Sequence, residues 1–492
     1  MKQLNSYLCV RALLILVLIA SNNLKAQTCN TNSLSLLAQY QAPFPALPQK
    51  PIADRLNRPY VYVAAKDGGL IVFNTSVITA PTIAHTIGIN LFDTLHVMNI
   101  HQEGNYLYVA LGNFFGTVGS TNVQKPGMAI VDISNPVSPI VKDVWKYNAV
   151  ERGTSYITVQ GNYAYLSAMH KGLMILDITD KNNIVFVSEY QPNLNFPVNN
   201  PTSVNMPNAR GLAIKNDTVF MCYDAGGLRL IDVTNKNAPF QISEYINNGA
   251  INKQQAYNNI ELNGNLAYIA VDYCGMEIVN ISNPTNITQT GWWNPYNCQA
   301  LSNIWINSPG HANQIVYNAV DNAVFISAGG SQLRVVNVSN PTLPDSCNGY
   351  GVIGTQQGTW GLDMYNNKIY LANITAAIPF NSNWAGLKIL DWQSPNSINE
   401  YQSNNSILIF NQPNPFYNET EITIQSSINT AAKLSVYSID GKEIDAMHID
   451  LQKGKNSINW GNNSKITINE GVYFISITTN KNTYRSKIIK IK

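Results

Sequence analysis

Six segments of this chain bring aromatic rings together with amide side chains and carry no carboxylate. They span roughly 112–126, 191–209, 246–256, 291–314, 348–359 and 372–385. Phe114 and Phe115 lie in the first, Trp292, Trp293, Tyr296 and Trp305 in the fourth, and Trp384 in the last, while Trp360 follows the fifth. Rings give large contact area at little entropic cost, and amides give neutral hydrogen bonds. That chemistry suits glycan or protein surfaces. The same rings could equally seal loops onto a scaffold. Glycoside hydrolysis would need two carboxyl groups about 5–10 Å apart, and six segments without Asp or Glu speak against it.

The other titratable residues are thinly spread. Asp67, Asp224 and Asp272 fall in short turns, and Asp224 and Asp272 share one register in adjacent repeats. That sharing points to turn stabilisation rather than catalysis or calcium binding. His96 and His101 are five apart on one strand, so they face opposite sides and cannot chelate one metal. His170 and His311 lie near the aromatic segments but belong to no partner motif. No Gly-x-Ser-x-Gly elbow, phosphate loop or dinucleotide fingerprint occurs. The expectation is no catalytic residue, no cofactor and no metal. Six residues before a recurring turn stand Arg210, Asn258 and Trp360, one equivalent position that should lie near the mouth of a central channel. Arg210 could take an anionic group there, or bond to loop carbonyls. The candidate ligand-binding residues are Arg210, Asn258, Trp292, Trp293, Trp305, Trp360 and Trp384.

What must position these residues is a repeat. A polar turn, an alternating apolar strand, a small-residue turn, a second apolar strand and an Asp or Asn recur along the chain. The Asp or Asn falls at Asn74, Asp132, Asp177, Asp232, Asn280, Asn337 and Asp391, at intervals of 45–58 residues. Each interval holds about four short strands plus turns, the signature of a closed β-propeller, here with seven blades. Gly104-Asn105, Gly161-Asn162, Asn216-Asp217, Gly264-Asn265, Asp321-Asn322 and Asn366-Asn367 supply the hairpins between the first two strands, a and b, where positive φ is needed. Ser134-Asn135-Pro136, Ser282-Asn283-Pro284 and Ser339-Asn340-Pro341 turn between the last two, c and d. Those short turns share one face. The long carboxylate-free segments share the other, as b–c and d–a connections, and mark it as the working face. Residues 34–41 resemble a d strand and could close the ring, a role for which 397–402 compete.

Charged residues make up 12% of the chain and the net charge is +2. No basic stripe marks a nucleic-acid binder. Residues 1–26 read as a secretory signal, with Lys2 and Arg11 before an apolar core over 12–20. No later segment is apolar over eighteen residues, so no transmembrane segment is expected in the mature chain. Cys29, Cys222, Cys274, Cys298 and Cys347 remain after cleavage, an odd number that leaves one unpaired within the chain. Cys274–Cys298 or Cys298–Cys347 would be a natural bridge.

Met128-Ala129-Ile130-Val131-Asp132, Leu173-Met174-Ile175-Leu176-Asp177 and Leu228-Arg229-Leu230-Ile231-Asp232 resemble the LVIVD repeats of bacterial propellers, over about residues 50–400. The resemblance implies a fold and brings no catalytic residues with it. Beyond 410 come Asn411-Gln412-Pro413-Asn414-Pro415-Phe416, Leu434-Ser435-Val436-Tyr437-Ser438-Ile439-Asp440-Gly441-Lys442, Gly471-Val472-Tyr473-Phe474-Ile475 and a basic end. Together they resemble the type A C-terminal sorting domain of type IX secretion in Bacteroidetes. That resemblance implies export by the type IX machinery and attachment at the outer-membrane surface.

The expected organisation is a signal peptide over 1–26, a seven-bladed propeller over 27–402, a linker over 403–410 and a small β-sandwich over 411–492. The expected role is a secreted, surface-attached, non-catalytic binding or scaffold module that meets a glycan or a surface protein. An extracellular enzyme acting on polysaccharide or peptide is the alternative.

Overall fold

The computed structural model describes residues 34–42, 49–114, 122–196, 207–250, 256–300, 302, 308, 310–376, 378–393, 407–461, 468–480 and 483–491. The signal-like segment 1–26, Phe115, Trp305 and the competing closure segment 397–402 lie outside them. The chain divides into two compact units, 1–396 and 397–492.

The described residues of the first unit form seven four-stranded antiparallel sheets, each built from consecutive strands except the last. Their first strands are Lys50–Ala53, Val97–Glu103, Tyr156–Gln160, Leu212–Lys215, Tyr257–Asn263, Gln314–Asn318 and Gly358–Tyr365. Positive φ occurs in the expected hairpins, at Gly104, Gly161, Asn216, Asp217, Gly264, Asn322, Asn366 and Asn367.

The recurring Asp or Asn has a physical explanation. It ends the third strand, and its Oδ1 accepts the backbone N–H two residues on, at 2.8–2.9 Å. This is so at Asn74, Asp132, Asp177, Asp232, Asn280 and Asn337. Such a side-chain cap turns the chain without a β-ladder partner. The residue between points inward and ties two turns together. Ile133, Ile178, Val233, Ile281 and Val338 donate their N–H to the carbonyls of Asn105, Asn162, Asp217, Asn265 and Asn322 at 2.8–2.9 Å. The last repeat keeps the tie, Trp392 N–H to the carbonyl of Asn367 at 2.9 Å, and departs only in the cap. Asp391 accepts Lys368 Nζ at 2.7 Å, and the strand runs on to Trp392.

Seven hydrophobic clusters fill the spaces between sheets. Each draws on two consecutive sheets, and one joins the last sheet to the first through Val61, Val63, Tyr370 and Ile389. Full burial of each such aliphatic side chain is worth about 1.5–3 kcal/mol. The ring is therefore closed by packing. It is also closed by hydrogen bonds, because Leu34–Gln41 is the outer strand of the last sheet and pairs antiparallel with Gly386–Trp392. The all-β propeller class expected from the repeats is the one found.

The second unit packs a three-stranded sheet (Ile407–Gln412, Glu419–Ser426, Gly454–Gly461) against a four-stranded one (Thr430–Ser438, Glu443–Leu451, Gly471–Thr479, Thr483–Lys490). Ile422, Ile424 and Trp460 meet Leu434, Val436, Ile475 and Ile477 in one core, which makes it a β-sandwich. Its first strand begins at Ile407, so 407–410 are strand and not linker. The alternation of Ile407 and Ile409 on that strand pairs them into the core, which overrides the polar start of the segment.

Candidate functional site

The inner strands carry a bulge where the candidate residues sit. In three sheets the ladder skips one residue, and the skipped residues are Met98, Asn258 and Trp360. The residue before each skip bridges to the preceding sheet: Lys66 to Val97, Asp224 to Tyr257 and Gly329 to Thr359. The bridge from Met169 to Ala209 puts Arg210 in the same place. A bulge re-aims a side chain out of the ladder. Arg210, Asn258 and Trp360 are so brought together around one small depression of about 30 Å³, with Phe114, Ser155, Tyr156, Asn259, Asn313 and Gln314. Apart from Phe114, which belongs to the connection after Tyr106–Leu111, the lining comes from the starts of five successive inner strands. This is the mouth of the channel, on the face of the long connections.

Several of these polar groups are staples between sheets. Asn258 Nδ2 donates to the carbonyl of Ala312 at 2.9 Å, Asn313 Nδ2 to that of Thr359 at 3.1 Å, and Ser155 Oγ to that of Ala209 at 2.7 Å. Arg210 is different. Its guanidinium lies 5.4 Å over the Phe114 ring and 3.6 Å from Asp224, and its Nε is buried with no hydrogen-bond partner. The Asp224 carboxylate thus engages Arg210 and Asn208 rather than stabilising its own turn.

Deeper in the channel the inner strands carry a charged group that the loop-centred reading missed. Glu261 and Asp363 both lie opposite the central tyrosine of the second strand, Tyr268 and Tyr370. Asp363 is committed: it takes Arg55 Nη2 at 2.5 Å and the N–H of Ala53 at 2.8 Å. Lys50 Nζ donates to the carbonyl of Leu362 at 2.6 Å. Burial pushes the Glu261 carboxyl up to about 7 against the pull of Lys50, and burial with Arg55 and Lys50 brings His101 down to about 4. Glu261 is walled in by protein yet keeps part of its surface towards the channel.

The remaining candidates stand apart from the mouth. Trp292 and Trp293 are the end of an outer strand, Thr288–Trp293, rather than loop residues. Trp293 is buried at 5% exposure and donates Nε1 to Ser346 Oγ at 2.8 Å; Trp292 donates to the carbonyl of Cys274 at 2.9 Å. The expectation that Trp293 is accessible is corrected: the inward side of its strand packs against the next sheet. Trp384 is half-buried and lies 5.2 Å from Lys388 Nζ. Lys388 also stacks on Tyr350, donates to Gln332 at 2.6 Å and to Gln357, and is lowered to about 8 by burial. Beside it a depression of about 120 Å³ is lined by Gly330, Gln356, Gln357, Pro379 and Phe380.

Asp272 and His311 form a pair through Nδ1, a partnership their 39-residue separation concealed. Cys274 and Cys298 are bridged, and Cys222 is free and buried. Among the described residues no three His, Cys, Asp or Glu side chains come together as a metal site, and no helix is long and apolar enough to cross a membrane.

Comparison with known proteins matches residues 58–86, 96–115, 122–146, 151–191 and 257–294 to the LVIVD repeat, and 412–492 to the secretion system C-terminal sorting domain. No curated protein matches the chain. Among solved structures, the WD40 β-propeller domain of Doa1 is similar at 9% identity over 73% of this chain and 97% of its own, with a TM-score of 0.48. A chain of the mitotic checkpoint complex is similar at 10% identity over 74% and 93%, TM-score 0.48. PorZ of Porphyromonas gingivalis, a surface component of its type IX secretion system, is similar at 12% identity over 89% of this chain and 64% of its own, TM-score 0.39. The chain carries LVIVD repeats in its β-propeller and a type IX secretion sorting domain over residues 412–492.

Proposed function

We propose that the propeller is a binding module displayed outside the cell, attached at the outer-membrane surface, with its ligand seated at the channel mouth. One observation carries this reading: Asn258 and Trp360, at bulges of two inner strands, and Arg210, beside the bridge of Ala209 to the preceding sheet, meet Phe114 around one depression on the face of the long connections. A rigid ring that presents a few re-aimed side chains is suited to recognition. The sorting domain supplies delivery. The partner is a glycan or another surface protein. The test is a screen of full-length protein and its Trp360→Ala variant against a glycan array and an envelope-protein panel. Binding that the variant loses supports the reading, and binding insensitive to Trp360 moves the site elsewhere.

An extracellular enzyme is the second reading, and Glu261 favours it. A carboxyl held near 7 is poised for proton transfer at neutral pH. Hydrolysis of the array ligands that Glu261→Gln abolishes would support the enzyme.

A further inference from the structure

We propose that the channel mouth recognises the carboxylate of an acidic sugar, a uronate unit of a polysaccharide, and that Arg152 and Arg210 together supply its charge recognition. The proposal rests on the binding reading above and names the ligand class.

Arg152 belongs to the connection between the second and third sheets and was not singled out by the repeat. Its backbone has φ +70°, a conformation a non-glycine residue holds only where the surroundings impose it. They do so here, because Gly153 packs directly on Gly112. A Cβ at Gly153 would lie 2.1 Å from the carbonyl oxygen of Gly112. Arg152 stands beside the mouth rather than in its lining, three residues before Ser155, which does line the depression. Its guanidinium feels two charges above all, the repulsion of Arg210 and the attraction of Asp224, and with burial the balance lowers its pKa. Among the described residues Arg152 makes no hydrogen bond, and its Nε, like that of Arg210, is buried without a partner.

The charge balance is uneven. Two guanidinium groups share one carboxylate, and Asp224 is partly engaged by Asn208 Nδ2 at 3.1 Å. His170 adds no charge near neutrality, since burial and Arg152 hold its pKa down. Glu151, the neighbour of Arg152 in the same connection, is paired with Lys171 at 3.7 Å, and none of the six long connections on this face carries an Asp or Glu. One positive charge is left over, with donors to spare.

The shape narrows the anion. About 30 Å³ admits a planar end group and little more. Guanidinium forks match carboxylates edge to edge with two hydrogen bonds. Phe114 covers one face of Arg210, so an acceptor must approach at the guanidinium edge. Trp360 is half-buried, 6.2 Å from Phe114 and inclined at 33°, and offers an apolar wall to the C–H face of a pyranose. Asn258, Asn313, Gln314 and Ser155 put amides and a hydroxyl around it. A pyranose with hydroxyls to bond and one carboxylate per unit uses all of these groups.

Isothermal titration of the full-length chain decides the matter, with trigalacturonic acid, its methyl ester, inorganic sulfate, and one short peptide with a free or an amidated C-terminus. Trigalacturonic acid is expected to bind at least ten-fold more tightly than its ester. Arg152→Gln and Arg210→Gln should each weaken the acid ten-fold or more and leave the ester unchanged, while Lys142→Gln on an outer strand changes neither. Arg210→Lys keeps the charge but not the fork and should fall between. Equal binding of acid and ester overturns the proposal, as does acid binding that survives both glutamine variants. Sulfate bound as tightly as the trisaccharide would mean a general anion site, and preference for the free peptide carboxylate would mean a protein ligand; either result rejects the uronate. No binding of any probe also rejects it. The array screen with Trp360→Ala then decides separately whether the mouth binds anything.

Discussion

Trp392 donates its indole N–H to the carboxylate of Asp321 at 2.7 Å, from the last sheet to the one before it. In the other repeats the equivalent residue is Thr75, Ile133, Ile178, Val233, Ile281 or Val338. Here the ring is 1% exposed and also meets Phe325 edge-on at 4.9 Å. Trp392→Phe keeps most of the packing and removes the bond to a nearly buried carboxylate. The expected loss is about 1.5–3 kcal/mol, the range for hydrogen bonds to charged groups. Denaturant melts followed by circular dichroism measure it, and a loss below half a kilocalorie would show that Asp321 finds another donor.

Trp293 and Trp360 should behave as opposites. Trp293→Ala empties a buried site between two sheets and is expected to cost about 3–5 kcal/mol. Trp360→Ala opens the mouth and should change stability little while it removes ligand binding. Thermal melts of both variants, read beside the array screen, separate the two roles.

Glu277 gives stability a pH dependence of known sign. Its carboxyl is fully buried and accepts Tyr245 and Tyr257 hydroxyls at 3.0 and 3.1 Å. Burial raises it to about 7. Between the ordinary glutamate value of 4.5 and about 7 the folded chain holds a proton that the unfolded chain has released. Stability must then fall as pH rises through that window. Glu261 acts with the same sign, so Glu277→Gln should reduce the slope without abolishing it. An unchanged slope in the variant would mean that Glu277 is ionised in the fold.

Thiol chemistry offers a further check. Cys222 is fully buried and its thiol is pushed up by burial, so iodoacetamide should spare it in the native protein and modify it after unfolding. Cys298→Ser breaks the bridge to Cys274 across 24 residues and should cost about 3 kcal/mol. Trp292, which donates to the Cys274 carbonyl, should become more mobile, with a red-shifted emission as the readout.

The propeller was legible because its repeat is a set of local hydrogen bonds. A side-chain cap at Asp177 or Asn280 must be written in the sequence at that point, and so must positive φ at Gly161. The shared position of Arg210, Asn258 and Trp360 was legible for the same reason, since a fixed count from a turn survives folding. What the count could not show is long-range. Arg152 approaches the mouth from an irregular connection whose course depends on two glycines forty residues apart. Glu261 and Asp363 were overlooked because acids were sought in loops, whereas these sit on strands that alternation alone marks as inner. Trp293 reads as a connection residue in the sequence because its strand, Thr288–Trp293, runs three residues into the segment 291–314.

Ser35 faces Asp391 in the closing ladder. The first strand among the described residues therefore waits for the last sheet before it has a partner. During synthesis the nascent ring stays open until the final repeat has emerged, and every truncation short of it leaves two free edges. Completion of the last sheet, rather than any single contact, is the event that closes this ring.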